Sequence, residues 1–342
     1  MRNTLLLILL ACNLFAGAQA FSLTTGESVL VYSLPKTQFC IEVETEKVTQ
    51  KPGIFYRYSE RYLATTNVVT KEKVNYRLKG IKVTAQAIAD STRTYAFVQS
   101  KKMQTNHITV NSKGILCGIN VPLAEKKVAN DQIETTVEES PVLSNLLPLG
   151  EEYMMAGSEA KLAEGAAKQI YKIRESRMSL LTAEVEKLPA DGASLKLMLD
   201  GMNKQEHDLT ELFIGKTTTE TETQKVFVTP AKAKANEVLF RLSALRGLVA
   251  SDDLGGDPYF ISIIPSRIKT NDSKAKKETA VLYYVLPATT SVTISNGVNT
   301  IFSEKFDVPQ FGVTVPLSED FFKQANVKIQ IDPQTGRLLS VE

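Results

Sequence analysis

The sequence predicts an α+β protein with two similar, mainly antiparallel β domains, sandwich-like or barrel-like, separated by a long antiparallel helical hairpin. Three observations support this prediction. Short runs of β-branched and aromatic residues, broken by turn residues, occupy both ends of the chain. Apolar residues recur at spacings of three and four in the middle. Several segments near the start also resemble segments near the end.

The first β domain is predicted to span residues 21–123. It ends in a hairpin whose strands flank the turn Asn111-Ser112-Lys113-Gly114. The β runs before this hairpin lie at residues 28–33, 38–48, 53–62, 76–85 and 95–100. Residues 124–150 follow as a linker, because most of this stretch is polar, acidic towards its end and without periodicity.

The helical hairpin is predicted over residues 151–216. Ser158 is placed to cap a first amphipathic helix over residues 158–187. The sequence LPADG at residues 188–192 breaks this helix. A second helix over residues 193–213 is stopped by Gly215.

The second β domain, residues 217–342, is predicted to be a duplicate of the first. VETEKV at 43–48 parallels TETQKV at 221–226, and IFYRYS at 54–59 parallels VLFRLS at 238–243. The hairpin at 108–116 likewise parallels that at 329–338. The common order of the three matches predicts a duplicated β module with the helices inserted between the copies.

The N-terminus predicts a signal peptide over residues 1–20. Arg2 precedes an apolar run, and Ala18-Gln19-Ala20 has the small residues of a cleavage site, so cleavage is expected between Ala20 and Phe21. An alternative interpretation takes residues 9–12 as a lipobox, with Cys12 lipidated and the chain anchored to a membrane. No later segment is long and apolar enough to predict a transmembrane span.

Cysteine content and charge narrow the functional classes. Cleavage removes Cys12, and Cys40 and Cys117 are left in an oxidising compartment, which predicts a disulfide between them. The alternative is two buried thiols that never meet. The chain has 40 Lys and Arg against 38 Asp and Glu. Such a balance lacks the basic footprint of a nucleic-acid-binding protein.

No motif predicts a catalytic, metal-binding or cofactor-binding site. Ser158 and Lys161 have the Ser-x-x-Lys spacing of penicillin-binding proteins, but the partner motifs Ser-Asp-Asn and Lys-Thr-Gly are missing from the chain. The aromatic group around Tyr56 and Tyr58 is the feature of interest for binding. Strand alternation would place both tyrosines on one face, where they either pack on the sheet or stack on a ligand.

The chain resembles a family of exported proteins of unknown function from Bacteroidota, over nearly all of the mature sequence. The segments that carry the resemblance are YSLPKT at 32–37, KPGIF at 51–55, LPLGEEYM at 147–154, KQIYKIRESR at 168–177, EKLPADG at 186–192 and PQFG at 309–312. The resemblance implies a Gram-negative envelope but no activity. It also implies that Asp90-Ser91-Thr92 matches an O-glycosylation signal, with Ser91 as the modified residue.

These observations favour a non-catalytic exported protein of the cell envelope, in the periplasm or associated with the outer membrane. Its role would be structural or partner-binding, and the partner would be an unknown envelope protein or glycan. The first alternative is a glycan-binding module that uses exposed Tyr56 and Tyr58. A serine hydrolase that depends on Ser158 is the weakest of the three hypotheses.

Overall fold

The computed structural model describes residues 20–22, 28–99, 107–122, 155, 157–182, 184, 191–267, 280–318 and 327–342. Cys12, the linker 124–150 and residues 1–19 of the predicted signal peptide lie outside these ranges. Ala20 and Phe21 belong to a short strand, and cleavage between them stays a prediction.

Antiparallel β structure makes up most of the fold, as predicted. The strands are β1 (Ala20–Ser22), β2 (Ser28–Lys51), β3 (Lys73–Gln99), β4 (Ile108–Val110), β5 (Leu116–Ile119), β6 (Lys216–Val228), β7 (Lys234–Ser243), β8 (Gly247–Val249), β9 (Asp257–Pro265), β10 (Ala280–Ser295), β11 (Thr300–Ser318), β12 (Ile329–Ile331) and β13 (Leu338–Val341). The helices are α1 (Ser59–Leu63), which follows a 3₁₀ turn at Tyr56–Tyr58, α2 (Glu159–Leu181) and α3 (Gly192–Ile214). None of these helices combines the length and the hydropathy that a membrane crossing requires.

The strands within the described ranges form three sheets. In the first, β3 pairs with one edge of β2, while β1 and β6 pair with successive parts of the other edge. The second sheet has the order β11-β10-β9-β7-β8. The third is small and has the order β13-β12-β5-β4, so the hairpins that end the two predicted β domains pair with each other through β5 and β12.

The first and second sheets pack face to face around one core. Along β2, the alternate side chains of Phe39, Ile41 and Val43 are buried, while Glu42 and Glu44 point to the other face. The buried side chains contact residues of the second sheet, namely Phe240, Leu242, Tyr259, Ile261, Ile263, Val292, Ile294 and Val308. Burial of each large apolar side chain contributes about 1.5–3 kcal/mol. A shared core and the pairing of β6 with β2 join the two predicted β domains, so the two-domain arrangement is not confirmed.

Two of the three sequence matches behind the predicted duplication do not relate equivalent positions. Residues 43–48 and 221–226 are neighbours in one sheet, where Val43 pairs with Gln224 and Thr45 with Glu222. Residues 54–59 enter the 3₁₀ turn and α1, whereas residues 238–243 lie in β7. The similarity of 43–48 to 221–226 thus relates two adjacent strands of one sheet.

A different internal similarity is present in the long strands. β2 contains YSLPKT at 32–37 and β10 contains YVLPAT at 284–289. Beside each hexapeptide the partner strand carries a bulge of four unpaired residues: Asp90-Ser91-Thr92-Arg93 in β3, the first bulge, and Pro309-Gln310-Phe311-Gly312 in β11, the second bulge. The second residue of each hexapeptide donates its N–H, at 2.9 Å, to a hairpin glycine carbonyl, from Ser33 to Gly114 and from Val285 to Gly336.

Helices α2 and α3 pack together beside the first sheet. Glu206 on α3 accepts hydrogen bonds from Arg174 and Arg177 on α2. Both helices agree closely with the predicted ones, although α2 ends at Leu181, before the predicted end at residue 187. Most of the connection between them lies outside the described residues, so the helical hairpin stays a prediction.

Candidate functional site

The connection between β2 and β3 caps the C-terminal end of α3. The last four carbonyls of a helix have no partner within the helix. Here each has a donor: Gly215 N–H for Glu211 (2.9 Å), Phe55 N–H for Leu212 (2.7 Å), Ser59 Oγ for Phe213 (2.8 Å) and Val69 N–H for Ile214 (2.8 Å). Three of the four donors come from the β2–β3 connection, which therefore fixes the position of the helices on the first sheet.

Gly53 and Phe55, in the KPGIF segment, make this contact close. A Cβ atom on Gly53 would lie 2.2 Å from the Leu212 carbonyl oxygen, so no larger residue fits without a backbone shift. Phe55 is buried, and its ring centroid lies 5.4 Å from that of Phe213. The KPGIF segment, which carries part of the family resemblance, therefore connects the end of β2 to the C-terminal end of α3 by close contacts.

Tyr56 and Tyr58 do not lie on a strand, and the predicted strand at 53–62 is wrong. The aromatic residues there follow a helical spacing, so the rings of Tyr58 and Tyr62 lie on one side, tilted by 35° at a centroid distance of 6.3 Å. Both pack against the buried cluster that α2 and α3 share. Tyr56 is half-buried, and its hydroxyl accepts a hydrogen bond from Arg57 Nε at 3.1 Å. The two tyrosines do not form the exposed pair that the sequence suggested.

The same segment and α2 form a surface of exposed Arg57, Arg61 and Tyr171 with half-buried Tyr62, named here the arginine–tyrosine surface. The Cζ atom of Arg57 lies 5.6 Å from the ring centroid of Tyr56, and that of Arg61 lies 5.4 Å from that of Tyr62. The Tyr171 hydroxyl donates to the Tyr62 carbonyl at 2.8 Å, which holds α2 against α1. Sequence reasoning missed the two arginines, whose four-residue spacing was the available signal.

An open groove of about 660 Å³ lies where the β2–β3 connection meets the end of α3. Val68, Val69 and Ile214 give it an apolar part, and Lys71 and Lys73 stand at its side. The remaining lining residues are Gln50, Asn67, Thr70, Glu72, Gly215 and Thr217. Its volume lies within the range of small-molecule sites.

Large apolar side chains are exposed on α2 and α3 away from the capped end of α3. Met178 and Leu181 lie near the end of α2, and Leu197 and Met198 lie near the start of α3. These four residues, named here the apolar tip, are between 43 % and 76 % exposed. The buried residues of α3 are Leu209 and Phe213, both near its other end.

The predicted disulfide is absent, because Cys40 and Cys117 are free thiols in different sheets. Cys40 lies in β2 between Thr84 of β3 and Phe227 of β6, and it is 2 % exposed. Cys117 lies in β5 of the third sheet, where burial raises the pKa of its thiol.

Ser91 and Ser158, the two serines that the sequence singled out, are both exposed. Ser91 lies in the first bulge, where the neighbouring Asp90 and Thr92 bond to each other. O-glycosylation of Ser91 stays a prediction. Ser158 precedes α2, and the Lys161 ammonium lies 3.1 Å from Glu164. This lysine pairs with a carboxylate instead of the serine hydroxyl, so the geometry gives the hydrolase hypothesis no support.

Comparison with known proteins gives a family without an assigned activity. No curated protein and no solved structure matches the chain. A family model described as a domain of unknown function matches residues 28–339, from the start of β2 into β13. Because this match spans nearly the whole chain, the protein belongs to the DUF4831 family.

Proposed function

We propose that the protein is a non-catalytic component of the envelope of a Gram-negative bacterium, exported by residues 1–20, and that it binds another envelope protein through the apolar tip. The exposure of Met178, Leu181, Leu197 and Met198 carries this proposal. Contiguous exposed apolar surface is uncommon on soluble proteins and often marks an interaction site. Two copies of a β unit with an inserted helical hairpin are part of the same proposal.

The attachment of the helices suits such a role. Donors from the β2–β3 connection and the ion pairs of Glu206 hold α3 at one end, so the tip is presented on a fixed support. A fixed apolar surface loses little conformational entropy when it binds, which favours affinity. A protein with a matching apolar groove is the occupant that this surface fits.

Site-specific photocrosslinking in the producing cells tests the proposal. A photoreactive phenylalanine analogue at Leu197 should give one specific adduct with an envelope protein. The same analogue at Val298, an equally apolar and exposed residue in the β10–β11 turn, serves as the matched control and should not give it. The substitution Met198→Lys should abolish the adduct, because a charged side chain cannot be buried in an apolar contact without a large cost.

Three outcomes would contradict the proposal. These are identical adducts from Leu197 and Val298, an adduct that survives Met198→Lys, and an adduct that contains only a second copy of this chain. Recovery of the full-length protein from the cytosolic fraction would contradict the export part alone.

A further inference from the structure

The arginines of the arginine–tyrosine surface form no ion pair within the part of the chain that the structure describes, unlike most other arginines there. Arg77, Arg93, Arg174, Arg177 and Arg246 each form an ion pair with a carboxylate. Among the described residues, Arg61 makes no ion pair or hydrogen bond, and Arg57 uses only its Nε–H, towards the Tyr56 hydroxyl. The charge of Glu159 acts on Arg57 without reaching ion-pair distance. Most of the guanidinium N–H groups of both residues therefore remain available to a ligand.

A contact with a tyrosine ring restricts the position of each of these two guanidinium groups. Arg57 lies in the 3₁₀ turn, and Arg61 lies four residues later in α1, which follows the turn directly. The same spacing brings the ring centroids of Tyr58 and Tyr62 to 6.3 Å, so the two arginines occupy neighbouring parts of the surface. Each Cζ atom lies within 6 Å of a tyrosine ring centroid, the range of a cation–π contact. A planar guanidinium held in this way presents a fork of donors that matches a carboxylate or a phosphate.

Tyr171 adds an apolar surface next to the charges. Its side chain is 48 % exposed, and its hydroxyl is bonded to the Tyr62 carbonyl, which fixes the direction of the ring. Arg174, whose Cζ lies 5.6 Å from the ring centroid, already forms an ion pair with Glu206. The surface thus combines two available cations with one oriented aromatic ring.

We propose that the arginine–tyrosine surface binds an anionic saccharide, with its carboxylate held by Arg57 and Arg61 and the apolar face of a sugar ring packed on Tyr171. A uronic acid carries its charge and its apolar face on one rigid ring, so it can reach both features at once. An acidic peptide would have to fix flexible side chains, each at a cost of about 0.5–1.5 kcal/mol. This surface is separate from the apolar tip, and the ligand contacts differ from the Tyr56 and Tyr58 pair suggested by the sequence.

Isothermal titration calorimetry with a trisaccharide of galacturonic acid tests this inference on the full mature chain. Saturable binding is expected, and each of Arg57→Gln and Arg61→Gln should weaken it by roughly tenfold, since each removes a charge-assisted hydrogen bond. Tyr171→Leu should weaken it less. Arg77→Gln, which alters an exposed arginine on β3, is the matched control and should leave binding unchanged. Circular dichroism of each variant should match that of the parent protein.

Comparison ligands separate the inference from its alternatives. A neutral galactose trisaccharide that bound equally well would overturn it, as would the absence of saturable binding or binding that ignores both arginine substitutions. If inorganic phosphate at the same concentration displaced the galacturonic acid trisaccharide completely, the surface would be a general oxyanion site and the saccharide proposal would be wrong. A tri-glutamate peptide that bound as tightly through the same arginines would identify an acidic protein as the partner instead. None of these results depends on the photocrosslinking at Leu197, so the two proposals can fail separately.

Discussion

The first and second bulges have the same length and lie beside similar hexapeptides, but different chemistry stabilises them. In the first bulge, Asp90 accepts hydrogen bonds from Thr92 and lies 2.7 Å from Arg93 Nε, in an ion pair whose side chains are only 7 % and 17 % exposed. The second bulge has no charged residue. Its Gln310 side chain instead bonds to the N–H and the C=O of Thr37, at 2.8 and 2.9 Å, as a neighbouring strand would.

Each bulge also reaches the other half of the fold. Arg93 donates to the carbonyls of Pro35 and Pro309 at 2.8 and 3.1 Å. Gln310 of β11 provides hydrogen-bond partners for the N–H and C=O of Thr37 in β2. Thr37 lies two residues before Phe39, where the pairing of β2 with β6 begins. A β-bulge of the same length can therefore be stabilised either by an ion pair, as at Arg93, or by the hydrogen bonds of a neutral amide, as at Gln310. These contacts also give a physical reason why the two long hairpins share a core instead of forming separate domains.

The largest expected effect is at Gly312 of the second bulge. A Cβ atom there would lie 2.1 Å from the carbonyl oxygen of Leu286, a backbone atom that cannot move alone. Gly312→Ala should therefore lower the free energy of unfolding by about 4 kcal/mol, a loss that few single substitutions cause. Urea denaturation followed by circular dichroism measures it.

Gly201→Ala is the matched control for this experiment. Gly201 lies within α3 and nothing surrounds its Cβ position within 4 Å, so alanine should stabilise the protein by up to about 1 kcal/mol through helix propensity. If Gly312→Ala were as stable as the parent protein, the second bulge would tolerate a side chain. The predicted steric conflict with the Leu286 carbonyl would then be wrong.

Arg93 of the first bulge should have the next largest effect. Arg93→Met keeps the aliphatic stem but removes the donor to Asp90 Oδ2 and to two backbone carbonyls. Removal of one partner from a buried ion pair costs about 3 kcal/mol. The pair of Arg77 with Glu46 provides the control: the Arg77 side chain is 66 % exposed, and Arg77→Met should cost less than about 1 kcal/mol. Equal losses in the two variants would mean that the first bulge does not depend on its charge.

The sequence predicted elements better than it predicted their partners. Period-two burial along β2 and the three-and-four spacing of α2 are local signals, so both elements could be predicted. The pairing of Val43 with Gln224 joins residues far apart in the chain, and no local pattern encodes it. The similarity of YSLPKT to YVLPAT was visible in the sequence, but its meaning depends on the four-residue bulges in the partner strands, which leave no signal in the hexapeptides themselves.

The candidate site was predicted only in part. The aromatic group at 55–62 is visible in the sequence, and the alternation of Tyr56 and Tyr58 predicts a strand there. The stronger pattern is a spacing of four residues, which relates Tyr58 to Tyr62 and Arg57 to Arg61. Tyr171 could not be linked to them, because α2 reaches α1 only in the folded protein. The disulfide failed for a similar reason: an even number of cysteines says nothing about which sheet each one joins.

Acid titration should reveal the smallest difference between the bulges. Burial disfavours ionisation of Asp90, but hydrogen bonds from Thr92 and Arg93 outweigh it and lower its pKa below the ordinary value of 3.8. Ionised Asp90 therefore stabilises the folded state above the pKa of the unfolded chain, and this contribution is lost as the pH falls through the lowered folded-state pKa. The stability difference between the parent protein and Asp90→Asn should accordingly shrink between about pH 5 and pH 2.

Gln310→Met, which removes an uncharged side chain of the second bulge, should cost the same at both pH values. A difference for Asp90→Asn that stayed constant over this range would show that the ion pair holds the first bulge no more than neutral hydrogen bonds would.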